Sequence, residues 1–165
     1  MVRAQRVREV TPVALAAAGA ALFLASSPAA MAATEDWNSK TDPLIAWEDG
    51  SRQALAFGTS YTKEGSLKNH TNYKDPRAGG DKVYTETEYD AYWPGGQGGT
   101  YKWSGRYGMD QSARDNSGSW VDQYDADYYA DIDGIEKGRV YSKVCEDQSW
   151  SPDPCSKNPF ITFSL

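Results

Sequence analysis

The chain carries 17 basic and 23 acidic residues among 165, for a formal net charge of −6. An acidic surface repels phosphate backbones and anionic lipid heads, which sets nucleic acids and membrane surfaces aside as partners. Two cysteines and a single, distant histidine fall short of the four ligands of a structural zinc site.

Residues 1–32 read as a secretory signal peptide. Arg3, Arg6 and Arg8 supply a basic start, Val13 to Ala25 an apolar stretch, and Ala30-Met31-Ala32 a small-residue cleavage site. The apolar stretch is shorter than the roughly 20 residues that span a bilayer, so a membrane anchor is the weaker reading. Its alanine-rich composition is of bacterial type, the arginines are not adjacent, and no cysteine follows for lipid attachment. Cleavage after Ala32 takes 32 of the 165 residues and leaves 133, with 14 basic and 22 acidic side chains, or −8. That length suits a single domain, expected to be extracellular.

The mature chain has few aliphatic side chains. Twelve Ile, Leu and Val stand against six Trp and eleven Tyr, so burial must rest on rings that each hide roughly 150–250 Å².

Residues 33–50 are expected to be a loosely ordered N-terminal segment, anchored by Leu44, Ile45 and Trp47. The β domain then occupies 51–165. From Ser51 to Tyr61 the sequence alternates, with Leu55, Phe57 and Tyr61 on one face and small residues opposite. Glu64-Gly65 turns the chain toward a return strand at Leu67 to Tyr73, and Asp75 to Asp81 reads as a loop. Lys82 to Trp93 is the clearest strand. Val83, Thr85, Thr87, Tyr89, Ala91 and Trp93 should face a core, and Tyr84, Glu86, Glu88, Asp90 and Tyr92 should face water. Pro94 to Gly99 reverses into Thr100 to Tyr107 as a hairpin. Alternation resumes from Trp120 to Asp133, and again at Val140, Ser142 and Val144.

Cys145 and Cys155 are expected to form a disulfide in this secreted chain. Closing that loop removes about 2.8 kcal/mol of unfolded-state entropy on the chain-entropy model. Phe160 to Leu165 forms the closing strand. No segment sustains a helical period, so the fold class is mostly β: an antiparallel β-sandwich or small β-barrel, one domain, one C-terminal disulfide.

Candidate chemistry is sparse. His70, the only histidine, lies in a polar stretch without a nucleophile signature and reads as a solvated side chain. Glu86 and Glu88 sit about 7 Å apart as alternate strand residues. That falls within the roughly 6.5–9.5 Å separation of inverting glycosidases, which makes a small glycan hydrolase the enzymatic alternative. Asp125, Asp127, Asp131 and Asp133, with Asp122 and Glu136 nearby, are candidate calcium ligands because a hard cation relieves their mutual repulsion. They do not fit the EF-hand pattern.

The glycine-rich Pro94 to Gly99 is framed by Tyr92, Trp93, Tyr101 and Trp103, and flat rings beside a loop can stack on a sugar. The competing reading makes these rings core, which alternation favours for Trp93 and Trp103. The leading expectation is a non-catalytic binding protein for a carbohydrate or cell-envelope polymer. A third reading is a protein-directed factor, an inhibitor or toxin, that presents Trp150 on the disulfide loop.

Overall fold

The computed structural model describes residues 33–94, 99–129 and 134–165. Ten β-strands and no helix occur among them. β1 (Thr34–Asn38) and β2 (Leu44–Glu48) pair in succession along one edge of the long β3 (Ser51–Lys63). β4 (Ser66–Lys74) pairs with the other edge, and β8 (Val121–Tyr129) completes a first sheet ordered β1-β3-β4-β8.

The spine of the second sheet is β5 (Lys82–Pro94). β9 (Lys137–Asp147) follows one edge of it, with β10 (Phe160–Ser164) beyond. β6 (Tyr101–Trp103) and β7 (Tyr107–Gln111) share the opposite edge. Every pairing is antiparallel, and the two sheets pack into the expected β-sandwich. Cys145 and Cys155 form the expected disulfide, tying the end of β9 to the loop before β10.

Turn chemistry fixes two registers. Asp49-Gly50 and Glu64-Gly65 all have positive φ, as two-residue hairpin turns require. The first pairs Glu48 with Ser51 and the second pairs Lys63 with Ser66. Residues 33–50 are therefore not a loose segment, because β1 and β2 both pair with β3. Hydrogen bonding to an adjacent strand orders a polar sequence that has little apolar signal of its own.

The inner face of the first sheet is lined by Ala46, Ala54, Ala56 and Gly58, leaving room for the Trp37 indole. A Cβ on Gly58 would stand 2.5 Å from that ring and 2.2 Å from the His70 carbonyl oxygen. Across the sandwich, Leu67 fills the space above Gly138, where a Cβ would stand 2.4 Å from its Cδ1. Trp37, Tyr73, Tyr89 and Phe163 join Val83, Val140 and Val144 to complete the core. Tyr73 and Tyr89 are among the largest fully buried side chains, but aliphatic residues and alanines share the core with the rings, and Trp47 and Trp150 are exposed.

A polar network crosses this core. Asn69 is fully buried and its Oδ1 accepts from Trp37 Nε1 at 3.0 Å and Ser60 Oγ at 2.9 Å. Its amide nitrogen lies 2.9 Å from Thr87 Oγ1 and 3.3 Å from Ser142 Oγ, both on the opposite sheet. Burying an amide is costly unless it is hydrogen-bonded, and here both ends of the amide are engaged. The network therefore selects one relative placement of the two sheets.

Candidate functional site

The outer face of the second sheet is built from alternate residues of β5 and the partners that register sets beside them. Reading along β5, Tyr84, Glu86, Glu88, Asp90 and Tyr92 pair with Cys145, Lys143, Tyr141, Arg139 and Lys137 of β9. Three of these five rows, those of Glu86, Asp90 and Tyr92, set an acid or a ring opposite a cation. Glu86 accepts from Lys143 at 2.5 Å and from Gln111 at 3.1 Å. Glu88 accepts from Arg106 at 2.9 Å and from Asn158 at 3.3 Å. Arg106 lies 4.1 Å above the Tyr141 ring, and Arg139 is held between Trp103 at 3.6 Å and Phe160 at 4.7 Å.

These contacts overturn the expectation of a wet face. Tyr84, Glu86 and Asp90 are buried. The charged heads of Arg106, Arg139 and Lys143 themselves lie on the rings and carboxylates of this face and cover it. Tyr84 shows the consequence, because burial and its hydrogen bond to Asp153 raise its phenol above the ordinary value.

At the end of this face the predicted rings meet. Tyr92 is directly opposite Trp103, and Pro94 opposite Tyr101. The Tyr92 ring stacks on Tyr101 at 5.5 Å and tilts against Trp103 at 5.3 Å. Lys137 sits 5.7 Å over Tyr92. A hydrogen bond to Glu136 raises the Tyr101 phenol above its usual value. Trp93 belongs to the other side of β5, opposite Lys102, and its buried indole nitrogen has no hydrogen-bond partner among the described residues. Trp103 is thus part of the outer cluster and not of the core, because a strand's face is set by the residue it pairs with.

The acidic set is placed only in part. Asp125 and Asp127 fall on β8, while Asp131 and Asp133 lie outside the described residues. Among the described residues, no group of three or more His, Cys, Asp or Glu is arranged to hold a metal ion.

His70 is not simply solvated. It is half-buried, stacks on Tyr124 with ring centroids 4.1 Å apart, and its Nε2 contacts Asp122. Nearby, Phe57 meets Trp120 edge-on at 4.9 Å, so the first sheet also carries rings on its outer face. The alternation of Phe57 with small neighbours held this information. What hid it was that the small residues, and not the large ones, face inward.

Comparison with protein-family models, curated proteins and solved structures returns no match. No helix among the described residues is long and apolar enough to cross a membrane.

Proposed function

We propose that the chain is a secreted, non-catalytic binding protein that holds a carbohydrate or cell-envelope polymer against Tyr92, Tyr101 and Trp103. The gathering of these rings from two strands at one end of a sheet face carries the reading. A sugar offers a flat C–H face for stacking and a rim of hydroxyls for hydrogen bonds, and Glu136, Lys137 and Arg139 stand beside the rings. Secretion is supported by the signal-like residues 1–32 and by a disulfide, which persists in oxidising compartments.

The hydrolase reading is weaker. Glu86 and Glu88 are each engaged by a cation and an amide, and Glu86 is only 7% exposed. A general acid needs a carboxyl that can reach a glycosidic oxygen.

The test is retention of the chain from Ala33 on insoluble polysaccharides and purified cell walls, with calcium and with chelator. Retention should fall at least tenfold in Tyr101→Ala while the melting temperature holds. Calcium-dependent retention would bring Asp125, Asp127, Asp131 and Asp133 in as ligands. The absence of retention on every polymer, in either condition, overturns the proposal.

A further inference from the structure

At one end of the sandwich the β2–β3 turn, the β4–β5 loop and the disulfide loop converge around an open cleft of about 390 Å³. Glu48, Asp49, Asp81 and Trp150 all line it. Asp81 and Ser149 also border a second hollow of about 260 Å³ that reaches Asn116 and Asp147, so the two form one trough.

Trp150 is 99% exposed. A freely moving loop could fold its indole down, but this loop is held at several points. The Cys145–Cys155 disulfide closes it, and Asp153 accepts from the Gln148 backbone N–H at 2.9 Å and from the Tyr84 hydroxyl at 2.8 Å. Ser151 donates to the Gln148 side chain. The Gln148 amide in turn donates to Glu48 at 2.7 Å and to Glu146 at 2.9 Å, and Glu146 is buried against Arg77. Trp150 thus adds nothing to the core, while Gln148 and Ser151 on either side of it are held. A preorganised loop loses little freedom on binding, and exposed tryptophans are the side chains most enriched among dominant interface contacts.

The charges state what would fit beside it. Asp49 and Asp81 have no cation partner among the described residues, and Glu48 is engaged only by neutral amides. Arg77 and Arg114 are already taken by Glu146 and Asp147, and Lys82 lies in the second hollow. We infer that this trough docks a basic segment of a protein partner. An arginine or lysine would stack on Trp150 while its charge meets Asp49 and Asp81. The net negative charge of the chain would speed that encounter at low salt. This surface is separate from the Tyr92 cluster, and the two readings stand or fall independently.

The probe is a fluorescently labelled oligo-arginine peptide, with a glutamate peptide of equal length as control, followed by anisotropy at two salt concentrations. Acrylamide quenching of tryptophan emission is measured in parallel. The expected result is binding of the arginine peptide alone, with a Trp150 signal protected from quencher. Affinity should fall at least tenfold in Trp150→Ala and in the double variant Asp49→Asn, Asp81→Asn, and should be unchanged in Tyr101→Ala. Melting curves confirm that the variants are folded. Binding that survives Trp150→Ala within twofold would reduce the effect to general charge attraction and overturn the inference. So would absence of binding, or a dimer of the free chain that Trp150→Ala dissolves.

Discussion

Replacing Asn69 by alanine tests whether the buried polar network holds the two sheets in place. The substitution removes the acceptor of Trp37 Nε1 and Ser60 Oγ and the donor facing Thr87 and Ser142. Hydroxyls rotate and can find other acceptors, but the indole N–H is fixed by its ring. Leaving one such donor buried and unpaired costs about 1–3 kcal/mol. The emptied amide volume in a fully buried site adds roughly another 1 kcal/mol. A total near 3 kcal/mol is a large part of the roughly 5–15 kcal/mol that stabilises a domain. Urea unfolding followed by tryptophan emission, with the disulfide intact, gives the value directly.

Two further variants sharpen the reading. Trp37→Phe removes the N–H itself, so its combination with Asn69→Ala should cost less than the sum of the separate changes. Asn69→Asp keeps the shape but buries a carboxyl whose charged form is disfavoured, raising its pKa above the unfolded value near 3.9. Its stability relative to the parent should therefore decline as pH rises from about 4 toward 7. If Asn69→Ala unfolds within about 0.5 kcal/mol of the parent, or the double variant is strictly additive, the network does not organise the core.

Two other changes follow from single contacts. Gly58→Ala places a Cβ against the His70 carbonyl oxygen, which belongs to the sheet ladder and cannot swing away. It should destabilise by roughly 3 kcal/mol, read as a lowered thermal midpoint, and an unchanged midpoint would refute the packing of Trp37 on β3. Tyr84 bears on alkaline pH, because burial and the Asp153 hydrogen bond raise its folded pKa above the ordinary phenol value near 10. Its contribution is complete below about pH 10 and is lost as pH rises, so the urea midpoint should drop above that pH. Tyr84→Phe should flatten the drop, and parallel profiles for the two proteins would contradict the assignment.

The sequence was sufficient for β3, β4, β5, β8, β9 and β10 and for the disulfide, but not for β1, β2 or the separate β6 and β7. A period of two in Lys82 to Trp93 and around Val140 depends only on side chains alternating across a pleated backbone, and two cysteines ten residues apart need little context to pair. The turn pairs Asp49-Gly50 and Glu64-Gly65 are local in the same sense. Which face turns inward was decided only by the tertiary structure. Leu55, Phe57 and Tyr61 form a stripe, yet the alanines opposite them face the core, because Trp37 from another strand fills the space above Gly58. Asn69 is buried in a stretch that reads as polar, because its partners come from β1, β3, β5 and β9. Glu86 and Tyr84 are covered by Lys143 and Arg114, both far away in sequence, and Trp103 joins Tyr92 because register places them opposite. Alternation divides a strand into two faces. When both faces carry rings and long amphipathic side chains, apolar content no longer distinguishes inside from outside, and cross-strand partners make the choice.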